Sequence, residues 1–272
     1  IKDLKGQIKS IVPTKYPLFL IYARDRWSAE SEPYFDTSSL QISSHDESPA
    51  GDKSPPVMFQ VASNFNCLEV GSSQVNPFSG SFLTSLMSDS TQGPSATAGA
   101  GLGAIRRLLI HRRSPINLLE DTDIAVNNGK VIKSTSASPP LPDQVKIGLH
   151  TDVRATFNRC HVRTTGNCLY DCQGPLIDQV LTSTIALSQN PSAQDLQLSK
   201  LLLNVAYTGT YLSTIKRRTH RLVLTLIGGG VFNNPPQQIV EEIVSAHMKY
   251  SSLRSFDTII VCIPNLFAPF FF

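Results

Sequence analysis

Apolar and polar positions change period several times along this chain of 272 residues, and each change predicts an element. VMFQVAS, Val57 to Ser63, is a compact apolar run rich in β-formers and predicts a buried strand. RLVLTLIGGG (Arg221 to Gly230) and DTIIVCI (Asp257 to Ile263) are aliphatic, β-branched runs of the kind buried on both faces of a parallel sheet. Between them QQIVEEIVSAHMKY has helical spacing, so the C-terminal part reads strand, glycine loop, helix, strand. That is a βαβ unit, whose crossover should be right-handed. Upstream, Leu198, Leu201, Leu202, Val205 and Leu212 recur every three to four positions and predict a helix; GPLIDQVLTSTIALS, Gly174 to Ser188, reads as a second helix on the same ground. VKIGLHTDVRATF predicts a strand with an irregular centre. TQGPSATAGAGLGAIRRLLIHRR, with Pro94 in its first turn, predicts a helix of about fifteen to twenty residues.

Two segments punctuate the pattern. SSHDESPAGDKSPP, Ser43 to Pro56, and SASPPLPDQ, Ser136 to Gln144, have the Ser, Asp, Gly and Pro content of loops that bury little. The first separates an N-terminal extension, residues 1–55, with its short apolar run YPLFLIYA, from a domain over 56–272. The fold expected is α/β: a mixed, mostly parallel sheet flanked by helices.

Composition narrows the classes. A hydrophobic content of 41% suffices for a sizeable core, and a net charge of +3 is too mild to call for nucleic acid, so the clusters RRLLIHRR and KRRTHR read as solvated ends of elements. No run of eighteen apolar residues suggests a membrane span, and IKDLKGQIKS lacks a signal-peptide core, so the expectation is a soluble, cytoplasmic protein with no membrane partner. Five cysteines without a repeating spacing agree with a reducing compartment. Of Cys160, His161, Cys168 and Cys172 only Cys168 and Cys172 are close enough for the usual tight zinc pair, and no metal is expected.

The chemistry-bearing feature is the loop after the strand RLVLTL. Gly228, Gly229 and Gly230 let the backbone approach a ligand, and the free N–H groups before a helix opened by Pro235 and Pro236 attract an anion such as a phosphate. GGGVFN is neither a dinucleotide fingerprint, because Asn233 replaces the third glycine, nor a Walker loop, because no Lys-Ser/Thr follows. A tight turn that only packs strand on helix is the competing reading. GAGLG, Gly99 to Gly103, lies inside a predicted helix and reads as helix packing.

Five stretches in order carry a family resemblance: FQVASNFNCLE, DSTQGPSA, IGLHTDV, DQVLTSTIAL and LTLIGGGVFNNP. Together they resemble the macro domain, the α/β module that binds ADP-ribose, and within it the divergent MavL-type branch of hydrolases that remove ADP-ribose from arginine on ubiquitin. The resemblance covers roughly residues 57 to 265. It implies an ADP-ribosyl hydrolase that uses no cofactor, with ADP-ribose as ligand and product and an ADP-ribosylated protein, ubiquitin among the candidates, as partner. By the same resemblance the diphosphate lies on the amides of Gly228, Gly229, Gly230, Val231, Phe232 and Asn233, with Phe232 closing over the ribose. Asn64 and Asn66 meet ribose hydroxyls, Thr91, Gln92 and Gly93 complete the ligand contacts, and Asp89, with Glu69 behind it, supplies the catalytic carboxylate. Plainer roles stand beside these: turn formation for Asn64 and Asn66, a surface charge for Glu69, a helix N-cap for Asp89 and a satisfied sheet histidine at His150. A reader that binds ADP-ribose without turnover, and an unrelated nucleotide-phosphate enzyme built on GGGVFNN, are the alternative functions.

Overall fold

The two central strands of the sheet are β2 (Val57–Ala62) and β9 (Arg221–Thr225), and both runs are buried, as their unbroken apolar composition requires. In the computed structural model, which describes residues 18–23, 57–68, 76–79, 107–132, 139–154, 161–162, 168–169, 176–253, 256 and 258–264, they belong to a six-stranded sheet of order β1-β10-β9-β2-β8-β5. The other members are β1 (Leu18–Ala23), β5 (Gly148–Arg154), β8 (Leu176–Thr182) and β10 (Thr258–Pro264). All neighbours run parallel except β5, which lies antiparallel on β8. The mixed, mostly parallel α/β sheet expected from the sequence is therefore present. Two short hairpins, β3 (Val126–Asn127) with β4 (Lys130–Val131) and β6 (His161–Val162) with β7 (Cys168–Leu169), stand outside it. The edge strand β1 comes from the N-terminal side of the Ser- and Pro-rich segment at 43–56.

Among the described residues, three α-helical segments flank the sheet: α1, described over 107–113, α2 (Ala193–Arg217) and α3 (Pro236–Tyr250). Ser192 opens α2 as N-cap, its hydroxyl accepting from the Asp195 N–H at 3.1 Å while the Asp195 carboxylate accepts from the Ser192 N–H at 3.2 Å. Pro236 occupies the first turn of α3, where its missing N–H breaks no helical bond. Among the described residues no helix is long and apolar enough to cross a membrane.

Alternation along the strands divides the core in two. Val57, Phe59 and Val61 of β2, with Ile177 and Leu181 of β8, join Phe65, Leu119 and the α2 residues Leu198, Leu202 and Val205. Met58, Val180, Leu222 and Leu224 point the other way, onto Tyr207 and Tyr211 of α2 and Ile239 and Ile243 of α3. Helix α2 contributes to both clusters. Its second half buries Tyr207, Tyr211 and Thr214, which leaves Leu212 exposed although its spacing continued the first stripe.

One element differs in kind from its expectation. The segment read as a helix, GPLIDQVLTSTIALS, supplies strand β8 over Leu176–Thr182, buried along nearly its whole length. Its apolar residues happen to fall at helical intervals, but a strand flanked on both sides and covered on both faces needs no polar face. Periodicity therefore cannot discriminate there. The irregular centre expected in β5 is a bulge between His150 and Val153, where Asp152 adopts φ 54° and its N–H donates to Asp178 Oδ1 at 2.9 Å. Asp178, fully buried, also accepts from Arg217 Nε at 2.7 Å, which ties the end of α2 to the bulged edge.

His247 on α3 is buried, with Nδ1 3.0 Å from the Tyr211 hydroxyl and Nε2 without a partner. Burial holds its pKa below the ordinary histidine value, so the folded state binds a proton less readily than the unfolded chain. Its contribution is thus fully present above about pH 6.5, the unfolded value, and is lost as pH falls through the lower folded value. In urea unfolding at pH 7.5 and pH 5.5, His247→Gln should narrow its stability gap to the native protein at the acid pH. An unchanged gap would show that His247 does not titrate on unfolding.

Candidate functional site

Strands β2 and β8 pair over six positions, from Val57↔Ile177 to Ala62↔Thr182, whereas β2 and β9 pair at Met58↔Leu222 and Phe59↔Val223. Beyond those positions the ends of β2 and β9 part, and side chains replace the missing ladder. The Thr225 N–H donates to Gln60 Oε1 at 3.2 Å, and Gln60 Nε2 donates to Thr210 Oγ1 of α2 at 3.0 Å. The Tyr207 hydroxyl donates to the Thr225 carbonyl at 2.9 Å and accepts from the Ile227 N–H at 3.1 Å. In chain order β2 leads toward β5 and β8 on one side of the sheet, while β9 leads through α3 to β10 on the other. The parting strands therefore mark a topological switch point, where open α/β sheets bind ligands at the carboxyl ends of their strands.

One wall of this crevice is the loop after β2. The Ser63 N–H donates to the Thr182 carbonyl at 2.8 Å, the Asn64 N–H to the Leu68 carbonyl at 2.9 Å and the Cys67 N–H to the Asn64 carbonyl at 2.9 Å. Asn66 Oδ1 accepts from the Leu68 N–H at 3.0 Å, an Asx turn as expected of an asparagine here. Turn formation does not account for the rest of these side chains. Asn64 and Asn66 are each 1% exposed, and among the described residues the Nδ2 groups of both have no partner, nor has Thr182 Oγ1 at the end of the adjoining strand. A buried donor left unmade costs about 1–3 kcal/mol, so three such atoms at one sheet edge call for a water, an ion or a ligand to complete them.

Behind this loop Arg107 of α1 is buried, donating from Nε to the Cys67 carbonyl at 2.9 Å and from one terminal nitrogen to Gln179 Oε1 at 3.0 Å, with His150 Nδ1 3.2 Å away. Burial pushes its guanidinium down to about 10, so it stays charged at neutral pH. Burial likewise raises the Cys67 thiol to about 11, which keeps it protonated and unreactive. Arg107 thus positions the asparagine loop from beneath. His150 lies in that support.

The opposite wall is the glycine loop. The Gly229 N–H donates to the Leu226 carbonyl at 3.1 Å, the Asn233 N–H to the Gly230 carbonyl at 2.9 Å and the Asn234 N–H to the Gly228 carbonyl at 3.0 Å. Among the described residues, the amides of Gly230, Val231 and Phe232 take no part in that internal ladder and form a run of three successive donors. The three glycines differ in purpose. Gly228 sits at φ 72°, and a Cβ there would lie 2.4 Å from Thr184 Cγ2 and 2.6 Å from Asn234 Nδ2. Gly229 is buried against Ile239 and Leu226, while a Cβ on Gly230 would meet nothing within 4 Å. Val231 is 83% exposed, as an apolar residue at a loop tip beside open space.

Asn234, not anticipated from the sequence, fixes the loop's shape. Its Nδ2 donates to the carbonyls of Ile185 (2.9 Å), Phe232 (3.0 Å) and Gly228 (3.2 Å), and its Oδ1 accepts from the hydroxyls of Ser199 and Thr184. The loop after β8, the first turns of α2 and the glycine loop meet on this one amide. Also unanticipated was the β3–β4 hairpin, whose Asn128 (φ 47°) and Gly129 (φ 79°) form the two-residue turn that Asn-Gly favours. The Phe65 N–H donates to the Gly129 carbonyl at 2.7 Å, and a Cβ on Gly129 would lie 2.5 Å from Asn66. On the far side of the turn, Lys130 Nζ lies 5.9 Å from the centre of the Phe232 ring, so the hairpin tip spans from one wall to the other.

Asn64 and Asn66 thus lie together after β2, and Gly228 to Asn233 form a loop after β9 at the same sheet edge. Glu69, Asp89, Thr91, Gln92 and Gly93 lie outside the described residues, as do Cys160 and Cys172. Among the described residues no group of three or more His, Cys, Asp or Glu side chains could hold a metal ion.

No protein-family model and no curated protein matches this sequence. Among solved structures, the chain is similar to the poly(ADP-ribose) glycohydrolase of Thermomonospora curvata, with 14% identity, TM-score 0.43, and coverage of 96% of this chain and 77% of that one. It is similar also to the Deinococcus radiodurans poly(ADP-ribose) glycohydrolase in complex with ADP-ribose (11%, TM-score 0.43, 97% and 84%) and to an Oceanobacillus iheyensis macrodomain with MES bound (11%, TM-score 0.41, 77% and 77%). Likenesses this distant carry no argument about the site.

The glycine geometry makes a paired prediction. Gly228→Ala meets both a left-handed backbone and two close side-chain atoms, and should lose more than about 1 kcal/mol of stability. Gly230→Val should melt close to the native temperature. Equal melting of both variants would show that Gly228 is not the position that demands glycine.

Proposed function

We propose that this chain is an ADP-ribosyl hydrolase, and that its ligand lies in the crevice between the loops after β2 and β9. One observation carries the reading: at the same sheet edge, the buried Asn64 and Asn66 Nδ2 groups and the backbone amides of Gly230, Val231 and Phe232 have no hydrogen-bond partner among the described residues. ADP-ribose presents complementary groups, a diphosphate that accepts from backbone N–H groups and ribose hydroxyls that accept from, and donate to, asparagine side chains. The resemblance of the five sequence stretches to the macro domain supports the same ligand.

The bond broken is the glycosidic bond at the distal ribose. Asp89 orients or deprotonates the attacking water, with Glu69 the second carboxylate, and Thr91, Gln92 and Gly93 add ligand contacts. The resemblance to the MavL-type branch favours an arginine linkage, with ubiquitin a candidate carrier. A reader without turnover is the second reading. It is favoured by the Ser-rich segment Gly71 to Ser88, which holds no acidic residue and leaves Asp89 the sole carboxylate between there and Gly93.

Calorimetric titration with ADP-ribose, beside ATP and NAD, tests the ligand. ADP-ribose should bind the native chain, and Gly230→Val, which adds bulk in the open space beside these amides, should weaken it at least about tenfold, near 1.4 kcal/mol. Binding of ATP or NAD in its place would favour the unrelated nucleotide-phosphate enzyme.

Asp89→Asn separates catalysis from capping. Loss of a general base should slow release of ADP-ribose from arginine-linked ADP-ribosyl protein by about a hundredfold to ten-thousandfold with affinity retained. Asparagine caps a helix nearly as well as aspartate, so an N-cap role leaves both turnover and melting temperature near native. A native chain that binds ADP-ribose and never releases it from protein is the reader.

A further inference from the structure

We propose that Lys130, at the tip of the β3–β4 hairpin, is the side chain that reads the diphosphate, an assignment that rests on the function proposed above. The hairpin is not a free appendage. Its turn is fastened to the asparagine loop by the Phe65 N–H on the Gly129 carbonyl, and Gly129 packs so closely on Asn64 and Asn66 that no side chain fits between them. Two residues of the fixed turn, Asn128 at φ 47° and Gly129 at φ 79°, then aim the next residue back across the crevice. That residue is Lys130, and its ammonium lies over the face of Phe232, 5.9 Å from the ring centre.

Phe232 belongs to the loop whose free amides form the anion cradle, and its own carbonyl is held by Asn234 Nδ2 and the Leu187 N–H. An anion on the amides of Gly230, Val231 and Phe232 would therefore sit on the same loop whose Phe232 ring the ammonium already approaches. Among the described residues the ion pairs involve Lys146 and Arg217, and Lys130 pairs with no carboxylate there. A ring face is a weaker partner for an ammonium than a phosphate oxygen that accepts a charge-assisted hydrogen bond. On arrival of a diphosphate, Lys130 transfers from the ring to the oxygen, and the vacated face of Phe232 becomes free to lie on the adjoining sugar. The hairpin thus selects for ligands that carry the diphosphate over the bare nucleoside.

The test measures affinities of the native chain, Lys130→Gln and Lys130→Arg for ADP-ribose, adenosine and inorganic pyrophosphate at two salt concentrations, with melting temperatures alongside. Lys130→Gln should lose about tenfold for ADP-ribose and pyrophosphate, leave adenosine unchanged and flatten the salt dependence; Lys130→Arg should keep most of the affinity. Equal losses for adenosine, or no loss for either phosphate ligand, would overturn the assignment. If the native chain takes pyrophosphate through Lys130 but not ADP-ribose, the lysine assignment stands and the proposed function falls. If it takes ADP-ribose with no dependence on Lys130, the reverse holds. Binding of neither ligand ends both.

Discussion

The parting of β2 and β9 after Phe59 and Val223 is the constraint on which the rest of the site depends. Two buried strands can separate only where their backbone groups find other partners, because an unmade buried hydrogen bond costs about twice what a typical one contributes. Gln60 and Tyr207 meet that need from opposite directions, one from the sheet and one from α2, and both bond Thr225. The crevice therefore exists because a glutamine stands where an aliphatic residue would otherwise complete the core. Its position between strands that lead to opposite sides leaves room for two loops, neither of which crosses the gap.

The two walls are stiffened by different means. The asparagine loop is closed by its own backbone bonds and backed by a buried guanidinium that has neutral acceptors at Cys67 and Gln179. The glycine loop adds to its own backbone bonds the side chain of Asn234, whose amide gathers three carbonyls and two hydroxyls. Polar groups satisfied in this way define one conformation, whereas Asn64 Nδ2, Asn66 Nδ2 and Thr182 Oγ1 are buried without a partner among the described residues. Under the function proposed above, donors held in place beforehand would take up an anion with little reorganisation.

Much of the sheet was legible in the sequence. The aliphatic runs at Val57 and Arg221, the helix from Pro236 and the bulged strand at Gly148 follow from local composition. β8 was not, because a central strand covered on both faces carries apolar residues wherever it pleases, including at helical intervals. The Asn-Gly turn at Asn128 and Gly129 did have a readable signature, but its flanking strands are two residues each, too short for alternation to show. Asn234 had none: its five partners come from three separate segments and are brought together by the fold alone. The glycine triplet announced a close approach without saying which member requires it, since positive φ and neighbouring atoms at Gly228 are tertiary facts.

The strand β1 has a bearing on how the protein comes to be assembled. It joins β10 in parallel register from Leu18↔Ile259 to Ala23↔Pro264, a partner from almost the other end of the sequence. Closing so long a loop is only modestly dearer than closing a shorter one, about 0.6 kcal/mol for each doubling, but it is slow. On a ribosome adding about 5–20 residues per second, β1 emerges tens of seconds before β10 exists to receive it. Throughout that interval the nascent chain carries an apolar strand with no sheet to join, and the newly made β10 edge stays open until β1 returns. A neighbouring nascent chain offers the same strand to the same edge, so exchange of β1 between molecules is the misassembly to which this topology is exposed.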